Sequence, residues 1–170
     1  MSTSASLRSG AAAQQAFRDV MAAVVSPVAV VTALDGSRLH GTTVSAFASL
    51  SMAPPMVLVS LDQRSHLLAA IRRSGRFGLN VLGARQADLA SVFARPGPGK
   101  FDGVSWSPSE GLPRLPDAAA WIAAEVDGCV DAGDHTVLLA RATAAELGGE
   151  SLKPLTYHRR SFGTHTPLAY

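Results

Sequence analysis

Val28 to Ala33 is a β-branched run, Leu34-Asp35-Gly36-Ser37 follows with turn chemistry, and Leu39 to Phe47 returns, so the early chain reads as a β-hairpin. Two longer strands, Trp121 to Asp131 and Thr136 to Glu146, are separated only by the tight connection Ala132-Gly133-Asp134-His135. Met56 to Leu61 follows the punctuation of Pro54-Pro55, and its near-continuous apolar character predicts a strand covered on both sides. Phe77 to Leu82 reads as another strand, and Leu155 to Arg160 as a last one ending in two arginines. The fold class is therefore mainly β with short helices, three of which the sequence marks. Phe17, Val20, Met21 and Val24 fall at i, i+3, i+4 and i+7, predicting a helix from Ala11 to Val25 that turns one apolar stripe to the core and stops at Pro27. A second runs from a Ser65 cap to Ser74, with Leu67, Leu68 and Ile71 on one face and Gly75 as the stop. A third, near Arg85 to Ala94, buries Ala87, Leu89, Ala90 and Phe93.

At 170 residues, 47% hydrophobic and 16% charged, the chain has the means for one domain with a real core. We place that domain at residues 11–165, with flexible tails at 1–10 and 166–170. A net charge of +2, with Arg72-Arg73 and Arg159-Arg160 only as isolated pairs, argues against nucleic acid as a partner. The single Cys129 lies among apolar residues and reads as a buried, reduced thiol, which favours a cytoplasmic location. Neither a membrane-spanning apolar segment nor a signal-peptide pattern is expected.

The segment His40-Gly41-Thr42-Thr43-Val44-Ser45-Ala46-Phe47-Ala48-Ser49-Leu50-Ser51 sets small and hydroxyl-bearing residues among apolar ones. Small side chains let a ligand approach the backbone, where N–H groups and hydroxyls together can bind a ring edge or a phosphate. A Ser/Thr-rich hairpin edge has the same composition. Ser65 could hold an anion at a helix N-terminus or act only as a cap. Arg95-Pro96-Gly97-Pro98-Gly99 must be a surface loop, and it delivers Lys100-Phe101, a cation and a ring side by side; a lysine snorkelling past a core phenylalanine is the plainer alternative. His135 is titratable at a strand end, beside Asp134, either for recognition or as a hydrogen-bonded turn residue.

Several patterns are missing. The sequence has no Gly-x-Gly-x-x-Gly turn, no Gly-x-x-x-x-Gly-Lys-Ser/Thr loop and no Gly-x-Ser-x-Gly elbow, which excludes Rossmann, P-loop and serine-hydrolase readings. Its five histidines and one cysteine lack zinc-ligand spacing, so no metal is expected. The chemistry should belong to a cofactor.

Taken in order, Thr42-Thr43-Val44-Ser45-Ala46, Ser65, Phe77-Gly78-Leu79-Asn80-Val81-Leu82, Gln86, Phe93, Lys100-Phe101, Gly133-Asp134-His135-Thr136 and Pro154-Leu155-Thr156-Tyr157-His158-Arg159-Arg160 resemble the short-chain NAD(P)H:flavin reductases, over roughly Phe17 to Gly163. The resemblance implies an FMN-binding split barrel, a Greek-key-like antiparallel barrel, working as an NAD(P)H:flavin oxidoreductase. FMN or FAD would be reduced by NADH or NADPH, with no catalytic side chain required, and the reduced flavin would diffuse to a partner monooxygenase. It places Thr42, Thr43, Val44, Ser45, Ala46, Ser49, Leu50, Ser65, Lys100 and Phe101 at the flavin, and His135, Tyr157 and Arg159 at the nicotinamide nucleotide. It also implies a homodimer, with Trp106 to Pro116 as a variable connection without chemistry. A pyridoxamine-phosphate oxidase-like enzyme, or a flavin- or haem-binding split barrel without reductase activity, are the alternatives.

Overall fold

The computed structural model describes residues 10–149 and 153–168. The proposed N-terminal tail, Gly10 apart, and residues 169–170 of the C-terminal one lie outside that range. The elements run α1 (Ala11–Ala22), β1 (Ser26–Pro27), β2 (Ala29–Asp35), β3 (Arg38–Val44), β4 (Phe47–Met52), β5 (Pro55–Asp62), α2 (His66–Ser74), β6 (Arg76–Val81), α3 (Ala87–Ala94), β7 (Ser107–Ser109), β8 (Leu112–Arg114), β9 (Ala120–Ala132), β10 (His135–Leu147), β11 (Leu155–His158) and β12 (Ser161–Thr164).

Seven strands form one antiparallel sheet in the order β3-β2-β6-β9-β10-β5-β4. β3 and β4 are its two edges, yet only Ser45 and Ala46 separate them in sequence. Three Cα steps span at most about 11 Å. The sheet must therefore curl until its edges converge at Ser45 and Ala46, where the Ala46 carbonyl accepts from the Ser60 amide of β5 at 2.9 Å and extends the β4–β5 ladder.

One apolar cluster, including Val31, Ala33, Val59, Leu61, Leu67, Leu68, Ile71, Phe77, Leu79 and Leu138, fills the curled sheet under α2. α2 has the expected ends. The Ser65 hydroxyl accepts from the Leu68 amide at 3.4 Å, and Gly75, at φ 71°, donates to the Ile71 carbonyl at 2.7 Å. A second cluster, Val28, Val30, Leu82, Ala90, Phe93, Leu115 and Leu155, seats α3 and β11 on the barrel, and Phe101 packs against it.

Four expectations need correction. Helix α1 stops at Ala22, and its apolar stripe meets no core: Phe17 is 65% and Val20 66% exposed, and none of its residues is buried. Cys129 is exposed, because β9 loses its β6 neighbour after Glu125 and its last residues, from Cys129 to Ala132, lie open beside β10. β5 alternates buried with half-buried residues, so one face only is fully covered. Arg159 and Arg160, at φ 46° and 63°, form the turn of a β11–β12 hairpin instead of ending a strand. Beyond these, the Trp106 to Pro116 connection contains the β7–β8 hairpin, with Leu112 in it and Leu115 just after it both buried. Its anchor is polar. Asn80, fully buried, donates through Nδ2 to the Val30 carbonyl and to Thr32 Oγ1, both at 3.2 Å, and accepts from the Leu115 amide at 2.8 Å. Thr32 Oγ1 in turn donates to the Pro113 carbonyl at 2.6 Å.

Candidate functional site

The hydroxyl-rich segment divides by burial. Thr42 and Thr43 lie on edge strand β3, next to α3, and their hydroxyls donate to helix carbonyls: Thr43 to Ala90 at 2.7 Å and Thr42 to Phe93 at 3.4 Å. Val44 is buried in the first cluster, which leaves its backbone alone available to a ligand. From Ser45 onward the surface opens, with Ser45, Ala46, Ala48, Ser49, Leu50 and Met52 exposed along the turn and β4.

Lys100 and Phe101 join this edge. Lys100 Nζ donates to the Phe93 carbonyl at 3.0 Å and to Thr42 Oγ1 at 3.5 Å, so the ammonium caps the C-terminal end of α3, where helix carbonyls lack intrahelical partners. An ammonium has three N–H donors, and one remains for an anion. Partial burial holds the Lys100 pKa below its ordinary value. The Phe101 ring meets Phe93 edge-on, centroids 5.0 Å apart, and Trp106 at 6.4 Å. Gly41 permits this packing, since a Cβ there would lie 2.6 Å from the Phe93 ring.

β5 connects this edge to the histidine. Its register places Phe47 against Val59 and His135 against Asp62, so the β3–β4 step and His135 lie along one strand. Ser65 follows directly, donating its amide to the Asp62 carbonyl at 2.9 Å. Its hydroxyl is already the α2 cap, and cap and anion ligand are compatible roles for one oxygen only if a phosphate takes the hydroxyl proton.

His135 Nδ1 lies 2.7 Å from Asp134 Oδ1, which fixes the ring. That contact is the largest cause of the lowered Asp134 pKa. Asp62 is held at about 2, chiefly by its side-chain hydrogen bonds from Arg64 and the Arg64 amide. Gln63 grips the hairpin tip, its amide donating to the Asp134 carbonyl at 3.0 Å and its Nε2 to the His135 carbonyl at 3.3 Å.

Tyr157 and Arg159 lie elsewhere. They belong to the separate three-stranded sheet β1-β11-β12, where the Arg159 amide donates to the Ala22 carbonyl at 2.7 Å and the Tyr157 ring packs on Phe162, centroids 5.2 Å apart. Within one chain, then, Thr42, Thr43, Ser45, Ala46, Lys100 and Phe101 form one cluster, His135 and Ser65 a second along β5, and Tyr157 and Arg159 a third on another sheet. Sequence reasoning overlooked Asn80 and Thr32, though an amide within the apolar run Phe77 to Leu82 was a signal. It also overlooked Arg72, whose guanidinium reaches Thr136 Oγ1 at 3.2 Å. Among the described residues no three His, Cys, Asp or Glu side chains gather as a metal site would require, and no helix is long and apolar enough to cross a membrane.

The match to known proteins is extensive. The family model described as Flavin reductase like domain covers residues 21–166. The reductase component of 4-nitrophenol 4-monooxygenase/4-nitrocatechol 2-monooxygenase from Rhodococcus opacus is 39% identical over 151 residues, 89% of this chain and 80% of that protein. An NADH:riboflavin 5'-phosphate oxidoreductase from Streptomyces pristinaespiralis is 36% identical over 157 residues, 90% of this chain and 89% of its own. The Streptomyces globisporus NADH:FAD oxidoreductase, solved in complex with NAD and FAD fragments, superposes with a TM-score of 0.86 at 27% identity, covering 92% of this chain and 95% of that one. The curled antiparallel sheet is thus the split barrel expected from the sequence, and the chain belongs to the flavin reductase-like family.

Proposed function

We propose that this flavin reductase passes hydride from NADH to FMN or FAD held along the β3–β4 step, and releases reduced flavin to a monooxygenase. Family membership carries the reaction class: the nicotinamide is oxidised and the flavin reduced, chemistry that resides in the two cofactors while the protein binds and orients them. It also weighs against the pyridoxamine-phosphate oxidase-like and storage readings. NADH as donor follows the names of the relatives, and the reductase-component relative supports a monooxygenase partner.

The observation that carries the site is the run of exposed small residues Ser45, Ala46, Ala48 and Ser49 at the open edge of the sheet, beside a lysine with one unused donor, with His135 along the neighbouring strand β5. Backbone groups of Thr43 to Ala46 would meet the flavin ring. Ser49, Leu50, Ser65, Lys100 and Phe101 would serve its ribityl phosphate, although the hydroxyls of Thr42 and Thr43 are committed to α3 and act by placing it. His135 would receive the nicotinamide nucleotide, with no side chain needed to take a proton.

Tyr157 and Arg159 fit this scheme through a homodimer. Phe17, Val20 and Met21 on α1, with Val24 just past its end, are exposed and continuous with the Tyr157–Phe162 pair through the Arg159–Ala22 hydrogen bond and the Arg160–Asp19 ion pair. A second copy covering that face would bury it and bring the third cluster toward a neighbouring site. Flavin titration of Ser45→Leu tests the placement. Affinity should fall at least tenfold with the circular dichroism unchanged, and an unaltered titration would move the ring elsewhere.

A further inference from the structure

Beneath His135 lies a hydrogen-bonded network of Thr136, Asp131 and Arg72. Thr136 is the next residue on β10, so its side chain points to the opposite face from His135, and it is fully buried. Its hydroxyl is used twice. It donates to Asp131 Oδ1 at 2.7 Å and accepts from Arg72 Nη2 at 3.2 Å, while Arg72 Nη2 also stands 3.4 Å from Asp131. Arg72 lies in the last turn of α2, and Thr136 pairs with Asp131 one step before the Gly133–Asp134 turn. One guanidinium thus ties a helix to both arms of the hairpin that carries the histidine. Gln63 holds the tip from the other side, so His135 sits between two clamps.

We infer that Arg72 and Thr136 are positioning residues for His135, setting the height of the hairpin tip and through it the fit of the nicotinamide nucleotide. The inference rests on the proposed role of His135. The Arg72–Asp131 ion pair adds little to stability by itself, since the two side chains are 49% and 66% exposed; what the network does is join α2 to the hairpin through the buried Thr136 hydroxyl. A displacement well under 1 Å at a binding group is enough to weaken substrate fit.

The test uses the full chain with NADH and FMN as varied substrates. Thr136→Val, nearly isosteric, should raise the KM for NADH about threefold to tenfold with flavin affinity unchanged, and Thr136→Ser should restore the wild-type value. In a His135→Ala background, Thr136→Val should add nothing. Arg72→Ala, at an exposed position, carries the same comparison if Thr136→Val does not fold. A lower melting temperature with an unchanged KM would overturn the inference, as would a KM increase that persists in the His135→Ala background. If His135→Ala itself leaves the KM unchanged, the histidine reading fails and this inference with it. If His135→Ala raises KM and neither Thr136→Val nor Arg72→Ala does, only the positioning role is lost.

Discussion

Replacing Lys100 with methionine keeps the length of the side chain and removes its charge, which separates the two roles this residue can have. As a helix clamp, the ammonium donates to the Phe93 carbonyl at 3.0 Å, while its contact with Thr42 at 3.5 Å is at the limit of a hydrogen bond. Losing that clamp, a hydrogen bond from a charged donor, costs about 1.5 kcal/mol. Burial already lowers the Lys100 pKa, so the folded protein bears a cost for the charged form that methionine relieves. The net stability change should stay within about 1 kcal/mol, a melting shift of roughly 2–4 °C for a domain of this size. As a phosphate ligand, the same ammonium supplies a charge-assisted contact of about 1.5–3 kcal/mol, or roughly tenfold to over a hundredfold in flavin affinity. Fluorescence titration with FMN, beside a melting curve, reads both. The pH dependence supplies a second signature: the lysine pKa in the fold lies below 10.5, so wild-type flavin affinity should decline as pH rises through it, and Lys100→Met should lack that limb. A melting temperature lowered by more than about 5 °C, with unchanged flavin affinity, would show that Lys100 is only a helix cap.

Other expectations follow from the same packing. Gly41→Ala places a Cβ 2.6 Å from the buried Phe93 ring and 3.2 Å from Phe101, so it should cost about 1–3 kcal/mol by thermal unfolding and weaken flavin binding as α3 shifts from Thr42 and Thr43. Asp62 has a folded pKa of about 2 against 3.8, so its pairing with Arg64 stabilises the fold above pH 4; that contribution should fade as pH falls from 4 to 2, and Asp62→Asn should flatten the stability profile in that window. Met21→Asp, in the exposed α1 stripe, should convert a dimer to monomer by sedimentation without altering the circular dichroism. A chelator should leave NADH oxidation unchanged, and activity lost to chelation and restored by one metal would contradict the cofactor account.

Much of this architecture is legible in the residues because its signals are local. Ser65 and Gly75 bracket α2 through hydrogen bonds within one turn, and the hairpin around Gly36 needs only nearby turn chemistry. Signals that depend on distant partners were lost. The spacing of Phe17, Val20, Met21 and Val24 reports an amphipathic helix and is silent on what covers it, and among the described residues these four side chains stay exposed. Cys129 lies among apolar neighbours, but strand residues are covered by what packs across the sheet, and the end of β9 from Cys129 on lies exposed, past its last pairing with β6. The prolines of β7–β8 argue against a strand, yet Pro113 occupies a two-stranded ribbon where its carbonyl is what matters, as acceptor for Thr32. For the candidate site, residue types and order were readable, but the hydroxyls of Thr42 and Thr43 and the Lys100 ammonium turned out to be shared with α3, a helix some fifty residues from the threonines in sequence.

The central claim, that hydride passes from NADH to a flavin held by this chain, is tested most directly by mixing purified, flavin-stripped protein with NADH under anaerobic conditions and then adding FMN. NADH absorbance should stay constant until FMN is added, after which one NADH should disappear for each flavin whose visible band bleaches. NADH consumed before flavin is present, or flavin left oxidised by an excess of NADH, would contradict it.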